Sequence, residues 1–394
     1  MVIILFLISV KSIAQNFDST SAKSYRQTHN SAIVIDGHNH IVDAANDSSW
    51  SFDQNLIGKT QTDLARMQQA GIDVQVFSIW GDGEKPGAFA NAIRRIDTVY
   101  AWVNRNPRKM MIVRNVQDLL QTVKEKKLGV IIALEGGRMM EDDLSKLDSF
   151  FKKGIRRMTL TWDNSTSWAT SEKYETSDSL LQQPKGLNAF GKQVIKRMNQ
   201  LGMIIDLSHA GEKTFYDAVN TSTKPVITSH SCVYNLCPSR MNLKDEQIKA
   251  IAKNHGMVML SFLPDELDSN WRIKSHEFDR QHKEEEDPIM KINPAIIDQY
   301  LVSKYKKELE AIDRIPISLL IDHIDYIVKL VGVDYVGLGS CFDATTALWQ
   351  GLNGNGVLDY PKVTLALLQR GYSKPDIQKI LGGNFIRVFE LNMK

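Results

Sequence analysis

The stretch "AIVIDGHNHIVD", residues 32–43, sets two imidazoles, His38 and His40, at the end of an apolar run. In an extended strand residues i and i+2 point to the same side, so both rings aim at one place. Two neutral imidazoles meeting there can bind a transition metal. Four more apolar runs end in chemistry-bearing residues: "VIIALEGG" in Glu135, "MIIDLSHAGE" in His209, "PVITSHSC" in His230, and "YVGLGSCFD" in Cys341 and Asp343. Singly, each has an ordinary reading, as a rim histidine or a carboxylate at a helix N-terminus. Together they form an imidazole–carboxylate donor set, which suits zinc best and also fits manganese or cobalt. Five donors, His38, His40, Glu135, His209 and His230, exceed the roughly three that one catalytic zinc takes from protein. Two zinc ions bridged by Glu135 are the economical arrangement. Zinc lowers the pKa of its water to about 7, so the implied chemistry is hydrolysis of an amide, ester or similar bond by a metal-bound hydroxide.

Such a set needs a scaffold that brings distant strand ends together. Eight β-rich apolar runs recur, at 32–38, 74–80, 130–135, 157–162, 203–209, 225–230, 257–262 and 335–340. Most are continuous rather than alternating, as expected of parallel strands covered on both faces. Between them, residues 62–70, 88–106, 115–126, 141–152, 184–201, 212–220 and 244–254 carry apolar residues at helical spacing. Alternating strands and helices over this length predict an α/β fold, a (β/α)8 TIM-like barrel. No glycine-rich phosphate loop follows the first strand, which argues against an open dinucleotide-binding sheet. The candidate donors all fall at strand C-terminal ends, the face where such barrels hold their sites. The charged segment 264–316 is too long for a simple connection and predicts a helical insertion after strand 7, over the barrel mouth.

Composition narrows the partners. A net charge of +2 and the lack of any basic run with interleaved aromatics argue against nucleic acid and point to a small-molecule substrate. The apolar run 2–10, followed by Ser12 and Ala14, fits a secretory signal over residues 1–15, hence export to the periplasm or exterior, ahead of one hydrolase domain over 30–394. No other stretch is long enough to cross a bilayer. Three cysteines, Cys232, Cys237 and Cys341, do not make a disulfide scaffold, although Cys232 and Cys237 could pair after export. His255, His276 and His282 lie in charged stretches and read as exposed, and His323 as a helix residue bonded to a neighbouring loop. Of Trp50, Trp80 and Trp162, only Trp162 is expected to line the pocket.

The motifs "DGHN", "TDLARMQQAGIDVQVFSIW", "ALEGG", "GLNAFGKQVIKRMNQLGMIIDLSHAGEKTF", "PVITSHSCVYNLCPSRMN", "DHIDYIVKLVGVDYVGLGS" and "GYSKPDIQKILGGNFIRVFE" resemble the membrane (renal) dipeptidase family, peptidase family M19, among the amidohydrolase-like metal barrels. The resemblance covers nearly the whole chain after the expected signal segment. It implies a two-zinc dipeptidase, with homodimers common. His38 and His40 would hold the more buried zinc, Glu135 would bridge, and His209 and His230 would hold the second. Four positions depart from the family pattern. His40 stands where an aspartate is usual, and Trp162 where a histidine contacts substrate. Met241 replaces the arginine that pairs with the substrate carboxylate, with Arg240 one position early. Cys341 replaces the aspartate that shuttles the proton of the attacking water, leaving Cys341 or Asp343 to move it. A dipeptidase, a hydrolase of another small amide or lactone, and a catalytically impaired metal-binding protein all remain open at this level.

Overall fold

The computed structural model describes residues 19–81, 87–177, 184–292, 300–301, 304–312, 314–344 and 355–394. The expected signal segment, residues 1–15, lies outside them. The strands are β1 (Ile35–Asn39), β2 (Val74–Trp80), β3 (Met110–Ile112), β4 (Leu128–Glu135), β5 (Ile155–Thr159), β6 (Ile204–Asp206), β7 (Ile227–Thr228), β8 (Met257–Leu260) and β9 (Val336–Leu338). Eight pair in parallel in the order β1-β2-β4-β5-β6-β7-β8-β9. Closure comes from β9 onto β1. Asn39 bridges Phe342, Cys341 N donates to His38 O at 3.0 Å, and Asp36 accepts from Ser340 N at 2.7 Å. The fold is therefore the predicted TIM-like (β/α)8 barrel.

The continuous apolar runs have the expected cause. Every residue of β4 is buried, because both its faces are covered. Val130, Ile132 and Leu134 pack with the surrounding helices. Ile131 and Ala133 face the interior with Val74, Val76, Ile204, Met257 and Met259, above Phe385 and Phe389 of the last helix. The outer helices start where their sequences supply a cap. Asp63, Asn115, Asp143 and Asn188 each accept a backbone N–H of the first turn. Near the closure the backbones touch: a Cβ on Gly339 would lie 1.8 Å from Ser229 O, so only glycine fits there.

The sequence reading left out β3 and the helices Ser19–Ser31, Ile41–Ser48, Glu172–Glu175, Tyr360–Arg370, Lys374–Gln378 and Asn384–Met393. β3 is three residues long and pairs only with the start of β4, outside the ring, so it carries too little periodicity to be seen. The insertion after the seventh barrel strand is helical among its described residues, over Pro264–Leu267, Ser269–Ile292 and Lys306–Glu310. Phe278 and Leu309 are buried in it. Cys232 and Cys237 are free, buried thiols. His323 is buried, accepting from Val233 N at 3.0 Å and facing Leu267 O. His255 and His276 are exposed, but His282 is half-buried, its ring 3.8 Å from that of Tyr305. Among the described residues no helix is long and apolar enough to cross a membrane.

Candidate metal centre

Strand parity carries Glu135 to the centre of the barrel mouth. It continues the inward set Ile131 and Ala133, and it pairs in register with Trp80 of β2 and Thr159 of β5. One side of its carboxylate, Oε2, faces His38 Nε2 and His40 Nε2, each at 3.3 Å. The other oxygen, Oε1, faces His209 Nε2 at 3.1 Å and His230 Nε2 at 3.6 Å. Within each pair the Nε2 atoms are 2.9 Å apart for His38 and His40, and 3.0 Å for His209 and His230.

Those spacings fit metal ions. Donors held about 2.0–2.2 Å from a tetrahedral zinc lie roughly 3.3 Å from one another. Two N–N–O triangles of that size share one carboxylate, and Glu135 Oε2 is buried without a hydrogen-bond partner among the described residues. The groups His38–His40–Glu135 and Glu135–His209–His230 can each hold an ion, as can His38–His230–Cys341. Burial alone would raise the Glu135 carboxyl, but His40 and His38 hold it well below the ordinary carboxylate range. Burial lowers His38 to about 4 against the pull of Glu135. Burial also opposes charge on His209, yet its bonds to Asp163 and Glu135 carry it up to about 9.

The outer nitrogens of the four imidazoles are also engaged. His38 Nδ1 lies 2.9 Å from Ser78 Oγ, and His230 Nδ1 lies 2.8 Å from Ser229 Oγ. His40 Nδ1 faces Asp43 at 3.5 Å, and His209 Nδ1 faces Asp163 at 3.4 Å. Such partners hold the ring orientations, and at His38 the Arg157 guanidinium adds a donor, Nη2 lying 3.0 Å from Nδ1. Below them the buried Arg157 bonds Ser78 at 2.9 Å and the Gly37 carbonyl, and it pairs with Asp206 at 3.3 Å. Asp206 in turn accepts from Ser229 N at 3.0 Å, so one ion pair underlies both sides.

The donors do not all sit in strands. His38 is in β1, but His40 follows it at the N-cap of the helix Ile41–Ser48. His209 and Cys341 each lie three residues past their strands, in left-handed backbone with φ of 62° and 58°. Such a φ is uncommon for a non-glycine residue and is tolerated where surroundings enforce it.

Around the centre the expected residues part ways. Trp162 is half-buried, its ring 6.2 Å from that of His209 and edge-on to Trp80 at 5.0 Å. Trp80 therefore joins the same wall, contrary to the sequence expectation, while Trp50 lies under Lys59. Arg240 is committed to Asp163, both oxygens at 2.8 Å, and to Glu172 at 3.1 Å. Met241 is half-buried beside it. Cys341 is buried near His38 and His230, and burial with the Glu135 charge pushes its thiol well above its usual range. Asp343 turns to another loop, accepting from Gln61 N at 2.6 Å and from Thr62 Oγ1. A cleft of about 920 Å³ opens beside Asp163, lined by Arg138, Asp142, Ser167, Lys173 and Tyr174 among others.

Sequence reasoning missed Ser78, Ser229, Asp43, Asp163, Arg157 and Glu266. Ser78 shares parity with Val74 and Val76, and Arg157 is a charge inside an otherwise buried strand; both signals were readable. Glu266, in the first helix of the insertion, is 4% exposed, and burial pushes its carboxyl up to about 7.

A family model for membrane dipeptidase (peptidase family M19) matches residues 22–393. Dipeptidase 3 of Rattus norvegicus is 28% identical over 362 residues, which is 90% of this chain and 64% of the relative's length. The chain thus spans less than two thirds of that relative. The crystal structure of the probable dipeptidase PvdM from Pseudomonas aeruginosa matches with a TM-score of 0.79 at 25% identity, over 96% of this chain and 99% of that one. A metallo peptidase from Rhodobacter sphaeroides, liganded with a phosphinate mimic of the dipeptide L-Ala-D-Ala, shares the fold with a TM-score of 0.72 at 20% identity, over 92% and 99% of the two chains. With a metal-shaped donor set at the mouth of the barrel and a family match from end to end of the described chain, this protein belongs to the membrane dipeptidase family, peptidase family M19.

Proposed function

We propose that the protein is a zinc-dependent dipeptidase holding two ions per chain. The observation that carries this reading is the shared carboxylate: each oxygen of Glu135 faces its own pair of imidazole Nε2 atoms at metal-edge spacing. His38, His40 and Glu135 would hold one ion, and Glu135, His209 and His230 the other. When bound, the ions supply Lewis-acid polarisation of the scissile carbonyl and an acidified water. The chain's own residues do the rest. Ser78, Asp43, Asp163 and Ser229 orient the four rings. Trp80 and Trp162 form an apolar wall against which a small substrate can lie. The dipeptide mimic in the Rhodobacter sphaeroides protein supports a small peptide as substrate. Export through residues 1–15, a single hydrolase domain over 30–394 and a homodimer belong to the same proposal.

A second reading has its own support. Burial and the Glu135 charge push the Cys341 thiol well above its usual range, Asp343 faces Gln61 and Thr62, and Arg240 is already paired. The groups expected to shuttle a proton and clamp a carboxylate are thus altered together, which favours another small amide or a lactone. The deciding experiment is hydrolysis by zinc-reconstituted protein across dipeptides with L- and D-configured C-terminal residues. The dipeptidase reading expects metal-dependent release of amino acids that is lost in His230→Ala. Absence of release, also after Cys341→Asp, would sink it and turn the search to other amides and lactones.

A further inference from the structure

The two outer imidazoles of the centre are braced by the same device, built from unrelated parts of the chain. His40 Nδ1 faces Asp43; Asp43 is paired with Arg95, whose other nitrogen pairs with Asp47 at 3.1 Å. His209 Nδ1 faces Asp163; Asp163 is paired with Arg240, whose other nitrogen pairs with Glu172 at 3.1 Å. Each arm reads histidine, aspartate, arginine, second carboxylate. The two deep imidazoles, His38 and His230, use serine hydroxyls instead.

We propose that Arg240 is a positioning residue for His209, acting through Asp163, as Arg95 acts through Asp43 on His40, and that it is not the clamp for a substrate carboxylate. Three observations carry this. The Arg240 fork spends both ends on carboxylates: Nη2 donates to both oxygens of Asp163 at 2.8 Å, and Nη1 donates to Glu172 at 3.1 Å. His209 Nδ1 is buried, and the carboxylate it faces is Asp163, 3.4 Å away. The backbone is tied to the same group: Glu172 N and Thr161 Oγ1 both donate to His209 O, and Ser171 Oγ donates to Asp163 O. A substrate carboxylate entering there would have to displace Asp163, leaving His209 without its brace. The proposal deepens the metal-centre reading and rests on it for the consequence at the metal, but the brace itself is a property of the protein.

The test uses the full-length protein with Arg240→Ala, Arg240→Lys and Asp163→Asn. Removing an outer partner of a metal-bound histidine typically costs about 10–100-fold in metal affinity. Titration with Zn²⁺ and Co²⁺ should show one of the two equivalents weakened by that factor in Arg240→Ala and Asp163→Asn, with a changed cobalt spectrum. Arg240→Lys should restore part of the loss. Arg240→Ala combined with Asp163→Asn should be no worse than Asp163→Asn alone. KM for a free-acid dipeptide and for its C-terminal amide should move together. The clamp role would be established instead, and the proposal overturned, by unchanged metal titration with KM rising for the free acid alone. Should the protein bind neither ion, the metal-centre reading fails separately. The brace is then read from the His209 ring by nitrogen-detected NMR: its Nδ1 proton must lose protection in Arg240→Ala, and an unchanged signal overturns the proposal.

Discussion

The two sides of Glu135 do the same work by different routes. On the first side, His38 and His40 stand two residues apart in one stretch of chain. On the second, His209 and His230 come from two strands, and His209 reaches its place only by entering left-handed backbone past the end of β6. The first side is thus built by local geometry and the second by the ring. Exposure follows a different axis: the deep ring of each pair, His38 or His230, is almost fully buried, while His40 and His209 are 12% and 10% exposed. Each side therefore contributes one deep ring bonded to a serine and one outer ring braced by an aspartate. The likeness of the two sides is a matter of partner chemistry, not of where the residues lie in the chain.

Glu135→Gln removes what the sides share, so it should abolish the comparison altogether. We expect both metal equivalents to weaken and kcat/KM to fall by on the order of a thousandfold, a loss of several kcal/mol. Metal stoichiometry after dialysis and turnover on the best substrate measure this; loss of one equivalent with the other intact would mean the carboxylate is not shared. Next is the ion pair beneath. Arg157→Met leaves Asp206 buried and unpaired, which should cost about 3–5 kcal/mol in urea unfolding. Because Asp206 also holds Ser229, the His230 side should suffer along with the His38 side, visible as weakened binding of both ions.

A smaller effect concerns the rim. The Glu266 carboxyl is raised to about 7 by burial, so the folded metal-free protein binds its proton more tightly than the unfolded chain does. Its contribution is most favourable below about pH 4.5 and is lost as pH rises towards 7. Glu266→Gln should thus raise the stability of metal-stripped protein at pH 8 by up to about 3 kcal/mol, with no gain at pH 4. Urea midpoints at the two pH values decide it. The smallest expected change sharpens the comparison most. Arg95→Ala and Arg240→Ala should weaken metal binding by similar factors of about 10–100, each at a different equivalent. Unequal factors would mean that the matching arms are not matched in effect.

Much of this protein was legible before folding is considered. Continuous apolar runs such as 130–135 announced strands covered on both faces, and their alternation with amphipathic helices announced the barrel. The candidate donors were legible as well, because a polar residue ending an apolar run marks the open face of such a fold. β3 and the helix Ile41–Ser48 were too short or too close to a strand end to show a period. What only the tertiary structure decided is how the polar residues pair. Arg240 is 77 residues from Asp163, and Arg95 is 52 from Asp43; no spacing rule connects them, and each pair exists because the folded ring brings segments that follow different strands side by side, Asp43 and Arg95 on the helices Ile41–Ser48 and Ala88–Arg105. The same holds for Asp343, which strand parity would send to the centre and which left-handed backbone sends to Gln61 and Thr62. Sequence periodicity encodes which face a residue takes along its own element; the partner it meets across the mouth is set by long-range geometry that no local period contains.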